Sequence, residues 1–393
     1  MQLEIPLPRH NVVRVYVSLA AALNLFGLTL SGLALLCPLA SGAPKQDPVS
    51  LFRTLPLRFE QDPKGNWSAR GPGYAVGLEA SAVDLRVPDG LVRTEVAVRG
   101  LAGVLYHPAG DGPWRGVMQL GGAEGGLHED DAALLAAHGF TVLALAYFGR
   151  PGLPPVLSRI PVEYFGRALD YLRAHPKVAP GGITVTGVSK GSEAALLTGA
   201  TYPDAVRSVI SIVGSAVHTQ GISQDIGTGS LLEILQTRVA SWTYQGQDLP
   251  YQPNVVTPRL RAALAAGDPV SIGWIFPDLG DPPEAGAALI PVDRISGPVL
   301  LLSAGDDGGY GAAYHEIAIS RLRYPARHIV YKHAGHPIAR PPYRPTPRAA
   351  PPYRPAPRTA VPGPDQDFQL TGIPAADAAA RAGAWREIRE FLQ

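Results

Sequence analysis

From residue 91 onward, apolar and polar positions fall into short, regular patterns. "VRTEVAV" (92–98) alternates at period two, "LAGVLYH" (101–107) follows after a brief turn, and "RGVMQL" (115–120) runs into the glycine-rich "GGAEGG" (121–126). These read as hairpin strands feeding a central sheet. "DDAALLAAHGF" (130–140) has helical spacing. The almost wholly apolar "TVLALAYF" (141–148) has the composition of a strand covered on both faces. "VEYFGRALDYLRAHP" (162–176) puts Tyr164, Ala168, Leu169 and Leu172 on one helical face and ends before Pro176. Strand and helix then keep alternating: "ITVTG", "EAALLTGA", "VRSVISIVG", "PVLLLSAG", "YHEIAISRLR" and "HIVYKH". Such alternation predicts an α/β fold, a mainly parallel sheet with helices on both faces.

Upstream, residues 45–90 are irregular, and only "SAVDLRV" (81–87) has a strand pattern. Two stretches interrupt the alternation. Residues 214–297 carry several Gly and Pro breaks and few clear strands, as expected of a cap or a long excursion over one end of the sheet. Residues 341–362 contain a duplication, "PPYRPTPRAA" followed at once by "PPYRPAPRTA". Prolines this dense lack ladder donors and favour polyproline II, which predicts an extended arm. "AADAAARAGAWREIREFL" (375–392) predicts a closing helix with Ala379, Trp385, Ile388 and Leu392 on its apolar side.

Charge narrows the partners. With 34 Lys+Arg against 33 Asp+Glu, the chain offers no global field for a polyanion, which argues against nucleic acid. The single cysteine, Cys37, forms no internal disulfide and no metal site by itself. It lies in Val15–Pro44, an uncharged run behind Arg9 and Arg14 that reads as a signal peptide or a membrane anchor. Residues 1–44 are therefore expected to be membrane-associated or exported, with a cytoplasmic chain as the alternative.

The candidate chemistry centres on Gly187-Val188-Ser189-Lys190-Gly191, between a strand and a helix. A nucleophile elbow needs glycines at these two flanking positions, because the strand-to-helix turn is too tight for side chains there. A serine nucleophile also needs a base, and the base needs an acid to orient it. "PVLLLSAGDDGGY" places Asp306 and Asp307 beyond one buried strand, and "HIVYKHAGHP" places His333 and His336 beyond the next. Asp307 is preferred for its distance from the strand end, with Asp306 as fallback. His336 is preferred over His333, which belongs to the strand end. The oxyanion hole is expected from the amide of Lys190 and from Gly122 or Ala123 in "LGGAEGG". Nothing in these motifs asks for a cofactor or a metal.

The segments "GVMQLGGAEGGLHEDDAALLAAHGFTVLALAYF", "PVEYFGRALDYLRAHPKV", "GVSKGSE", "GDDGGY" and "AGHPIARPPYRP" resemble, in order and spacing, the catalytic domain of the acyl-CoA thioesterase and bile acid-CoA:amino acid N-acyltransferase family. The resemblance covers roughly residues 91–393. It implies an α/β-hydrolase fold with the nucleophile on Ser189, the acid on Asp307 and the base on His336. Members with a cysteine nucleophile transfer the acyl group to an amine, whereas a serine accompanies hydrolysis, so it also implies an acyl-CoA thioesterase. Members usually carry a β-sandwich before this domain, and a remnant of it is one reading of residues 45–90. The alternatives are an exported carboxylesterase of dienelactone-hydrolase type, an acyl-CoA:amino acid N-acyltransferase, and a catalytically silent protein displaying the proline-rich arm.

Overall fold

Wherever the period-two and all-apolar runs occur after residue 91, the computed structural model places a strand of one central sheet. Residues 91–224, 231–268, 270–276, 286–339, 368–369 and 372–393 are described, together with the backbone of six strands between residues 2 and 86. The chain divides into two units, with the boundary between Leu91 and Val92.

The first unit holds a six-stranded sheet in the order Asn11–Tyr16, Gln2–Leu7, Ala82–Arg86, Tyr74–Leu78, Trp67–Gly71, Glu60–Gln61. Gln2–Leu7 runs parallel to Ala82–Arg86, and the other pairs are antiparallel. The strand expected in "SAVDLRV" is Ala82–Arg86. The three strands from Glu60 to Leu78 give no such signal, being at most five residues long with Gly and Arg among them. The uncharged run expected to form a signal or anchor begins inside a strand at Val15 and Tyr16, and the rest of it lies outside the described residues. Among the described residues no helix is long and apolar enough to cross a membrane. The duplicated proline arm, 341–362, also lies outside them.

In the second unit the sheet strands are β1 (Leu91–Val96), β2 (Ala102–Pro108), β3 (Trp114–Leu120), β4 (Phe140–Ala146), β5 (Val178–Val188), β6 (Val206–Ile212), β7 (Val299–Ala304) and β8 (Ala326–Tyr331). Their spatial order is β1-β2-β4-β3-β5-β6-β7-β8. β2 is antiparallel to β4, and every pair from β4 to β8 is parallel. All seven residues of β4 and all six of β7 are buried, as their continuous apolar composition requires. The helices are α1 (Glu129–Ala136), α2 (Val162–Ala174), α3 (Lys190–Thr201), α4 (Leu231–Gln236), α5 (Pro258–Ala266), α6 (Ala313–Ile319) and α7 (Pro374–Leu392). α2 turns Tyr164, Phe165, Ala168, Leu169 and Leu172 inward, matching its predicted face.

This strand order, with one antiparallel entry and parallel strands joined through helices, is the α/β-hydrolase fold. The chain passes from β3 outward to β4 and then returns to β5 on the opposite side of β3. The carboxyl ends of β3 and β5 therefore flank a topological switch point, where open α/β sheets place their sites. α4, α5 and the short strand Trp242–Tyr244 lie in the predicted excursion after β6.

Candidate active site

The turn from β5 into α3 dictates the rest. Ser189 sits between them with φ 54° and ψ −120°, a conformation that side-chain-bearing residues seldom adopt. A Cβ on Gly187 would overlap the Gly191 carbonyl, and one on Gly191 would overlap the Gly121 carbonyl. Both glycines are therefore needed for β5, α3 and the β3 loop to meet. Ser189 N–H donates to Ile212 O at 2.9 Å, which ties the elbow to β6. The strain, about 1–3 kcal/mol for such a residue, is held by a helix buried along its length from Lys190 to Ala200.

The loop after β3 lies against this serine: a Cβ on Gly122 would stand 3.2 Å from Ser189 Cβ. Tyr147, at the end of β4, is fully buried and donates to Gly121 O at 2.7 Å, with Gly122 O at 3.4 Å. In a trans peptide the N–H points opposite to the C=O. Holding these two carbonyls therefore turns the amides of Gly122 and Ala123 away from Tyr147. Burial, reinforced by Glu124 and Glu193, pushes the Tyr147 phenol well above its ordinary range, so it stays a donor. The amide of Lys190 opens α3, where the first-turn N–H groups have no partners within the helix.

Beyond β7 and β8 the two residues expected as acid and base come together. His336 Nδ1 lies 2.9 Å from Asp307 Oδ1 and 3.1 Å from Oδ2. The Asp307 side chain is fully buried and that of His336 is 13% exposed. Gly309 N–H donates to Asp307 Oδ1 at 2.6 Å and fixes the carboxylate. A carboxylate can only accept, so Nδ1 carries a proton, and in the neutral ring Nε2 is the nitrogen with the lone pair. Asp306 and His333 form a second, looser pair at 3.5 Å with side chains 49% and 68% exposed, which leaves them solvated. His333 is not in β8: the strand ends at Tyr331, and His333 sits in the following turn with φ 60°.

A buried polar network behind the elbow gave no signal in the sequence. Lys190 Nζ donates to Glu193 Oε1 and Oε2 at 3.1 and 2.9 Å, and to Thr219 O and Oγ1 at 2.8 and 2.5 Å. Glu193 also accepts from Trp242 Nε1 at 2.6 Å and from Thr219 N and Oγ1 at 3.1 and 3.0 Å. Burial holds the Lys190 ammonium below its ordinary range, and Glu193 opposes that fall. Thr219 and Trp242 come from the excursion after β6, so this segment is built into the support behind the elbow. Thr219 also contacts Tyr310 Oη at 3.3 Å, and the Tyr310 ring lies 6.5 Å from that of His336. "SKGSE" carries the Lys-Glu pair, but Thr219 and Trp242 are 26 and 49 residues from Glu193 and show no pattern linking them to it.

A second polar row runs under α3. Ser192 bonds Ser211 through their hydroxyls, and Ser211 and Ser303 hold the two ring nitrogens of His315 at 2.7 and 2.9 Å. Burial, and His328 beside it, push His315 down to about 3, so it is neutral at working pH. At the start of α1, His128 lies between Glu124 (3.0 Å) and Asp131 (3.4 Å), its ring over Gly121. Burial disfavours its cation, but hydrogen bonds and attraction from the two carboxylates outweigh that and raise it to about 9. Among the described residues no group of three or more His, Cys, Asp or Glu side chains is arranged so that it could hold a metal ion.

Two outcomes are expected. Glu193→Leu strands the Lys190 ammonium and should cost about 3–5 kcal/mol in urea unfolding, much of it recovered in the double variant with Lys190→Met. An equal loss in the double variant would contradict the pairing. His128 titrates near 6.5 when unfolded and about 9 when folded. Its stabilisation is therefore complete below pH 6.5 and lost as pH rises through 9. The stability gap between the wild type and His128→Asn should shrink between pH 6.5 and 9.5, and a constant gap would contradict the assignment.

With that geometry established, the relatives can be placed beside it. Residues 160–393, which contain Ser189, Asp307 and His336, match the model of the family described as BAAT / acyl-CoA thioester hydrolase C terminal. The chain is 32% identical over 312 residues to acyl-coenzyme A amino acid N-acyltransferase 1 of Mus musculus, covering 78% of this chain and 66% of that one. It is 30% identical over 316 residues to the mitochondrial acyl-coenzyme A thioesterase 2 of Homo sapiens, covering 78% and 57%. The chain thus spans less than two thirds of these relatives' own length. Among solved structures, a dienelactone hydrolase from Klebsiella pneumoniae aligns with a TM-score of 0.44 at 16% identity, over 77% of this chain and 97% of that one. The fold assignment rests on the strand order above. By the family match, which takes in more than half of its length, the chain belongs to the BAAT / acyl-CoA thioester hydrolase C-terminal family.

Proposed function

We propose that the protein hydrolyses acyl-CoA thioesters to a free acid and CoA through a Ser189–His336–Asp307 triad. The observation that carries this reading is the buried Asp307 carboxylate on Nδ1 of His336, at the same sheet edge as a strained serine elbow. His336 Nε2 takes the hydroxyl proton as Ser189 Oγ attacks the thioester carbonyl, and the amides of Lys190 and Gly122 or Ala123 receive the oxyanion. Collapse of the tetrahedral adduct breaks the C–S bond, and the imidazolium returns its proton to the leaving thiolate. Water then adds to the acyl ester, giving up a proton to His336, and Ser189 regains its hydroxyl as the acid leaves.

Serine at the elbow favours water over an amine as the second nucleophile, because the ester formed lacks the special susceptibility of a thioester to aminolysis. Purified protein should release free thiol from acyl-CoA, and Ser189→Ala should lower that rate roughly 10⁴- to 10⁶-fold. Added glycine or taurine should leave the product a free acid. Turnover of p-nitrophenyl esters with acyl-CoA ignored would replace this reading with a carboxylesterase, and an N-acyl amino acid product would replace it with an acyltransferase. For residues 15–43 a membrane-associating role rests on their uncharged, apolar composition. Full-length protein should then stay in the membrane pellet after alkaline carbonate extraction, and its release would end that idea.

A further inference from the structure

The C-terminal helix keeps Ile388 and Leu392 of its predicted face inside but departs from that face at Ala379. Ala380, Ala384, Ile388 and Leu392 are buried on α7, Ala379 is exposed, and two charged residues, Asp377 and Arg381, are each only 2% exposed. Placed four residues apart, they lie one above the other on the helix face. Burying two charged side chains costs several kcal/mol before any pairing, and Ala or Leu would pack the same face without that cost. What the two residues touch explains their presence.

Asp377 Oδ1 accepts the backbone N–H of Gly335 at 2.7 Å. Arg381 Nε donates to the carbonyl of Pro337 at 2.9 Å. These are the residues immediately before and after His336, so α7 grips the histidine loop on both sides. A third bond, Ile373 N–H to His333 O at 2.9 Å, secures the same loop from just ahead of the helix. At Gly372, with φ 91°, a Cβ would overlap the Gly335 amide and stand 2.6 Å from Asp377 Oδ1, so only glycine allows this approach. Asp307 orients the imidazole through Nδ1, but that bond is effective only if the backbone carrying His336 stays in place.

The geometry points to Asp377 and Arg381 as positioning residues that clasp the backbone on either side of His336 and keep its ring in register with Asp307. This rests on His336 being the base. Neither residue touches the reacting atoms, so the effect expected is on kcat rather than KM.

The test compares Asp377→Ala, Asp377→Asn and Arg381→Lys in the full chain, with active sites counted by fluorophosphonate titration. Asn keeps an oxygen to accept the Gly335 N–H, whereas Ala does not, and Lys cannot place a donor where Arg381 Nε stands. Asp377→Ala and Arg381→Lys should lose about 10- to 100-fold in kcat per titrated site, the scale of a misplaced catalytic group. KM should stay within about twofold, and Asp377→Asn should remain within about threefold of wild type. Amide exchange across residues 333–338 should speed up about tenfold or more in Asp377→Ala and stay near wild type in Asp377→Asn. Wild-type kcat per site in both Asp377→Ala and Arg381→Lys overturns the clasp, as does unchanged exchange in Asp377→Ala. If Asp377→Ala does not fold, Arg381→Lys decides alone by the same kcat criterion. A wild-type protein that cleaves no ester or thioester refutes the hydrolase reading instead, and the exchange measurement still decides whether α7 holds the loop.

Discussion

A serine held at φ 54° between a parallel strand and a buried helix is the constraint on which the structure depends. The strain persists only because β5, α3 and the loop after β3 approach so closely that Gly187 and Gly191 leave no room for a side chain. That closeness brings Gly122 beside Ser189 and starts α3 at the same point. The Lys190–Glu193 pair then fastens that turn from below with hydrogen bonds to Thr219 and Trp242. A buried ion pair is a poor source of net stability. Here every polar atom of the pair has a partner, and the pair fixes where α3 begins.

The remaining machinery arrives from far along the chain at the same edge of the sheet. Parallel order sends the ends of β7 and β8 to the side where β5 ends, so Asp307 and His336 meet there although 29 residues separate them. The excursion after β6 braces the elbow from behind, and α7 holds the loop that carries His336. Hydrogen bonds to backbone recur in these supports: Tyr147 on Gly121, Gly309 on Asp307, Asp377 on Gly335. Each sets the direction of a peptide plane or carboxylate next to a group proposed to react.

The fold was legible because β4 and β7 are continuous apolar runs and α2 keeps a clean helical stripe. The outline of the candidate site was legible because a Gly-x-Ser-x-Gly turn, an Asp-Asp step and an Ala-Gly-His step follow β5, β7 and β8. What stayed hidden has a common cause. Glu193, Thr219, Trp242, Asp377 and Arg381 are polar or amphipathic residues on buried surfaces, paired with partners that only the tertiary fold supplies. Apolar spacing alone therefore points Ala379 inward on α7 and leaves Asp377 and Arg381 outside. Choosing Asp307 over Asp306 rested on strand-end spacing, whereas the structure separates the two pairs by burial and distance. The short strands between Glu60 and Leu78 were missed because they are too brief and too rich in glycine to show alternation.

The most direct test of the account is to catch the acyl group on the protein. Mixed with acyl-CoA and quenched within a turnover, the protein should gain the mass of one acyl group, carried on the peptide that contains Ser189. His336→Ala or Ser189→Ala should carry none. An acyl group found on another residue, or rapid hydrolysis with no acyl-enzyme at any time point, would contradict the assignment of Ser189 as the nucleophile.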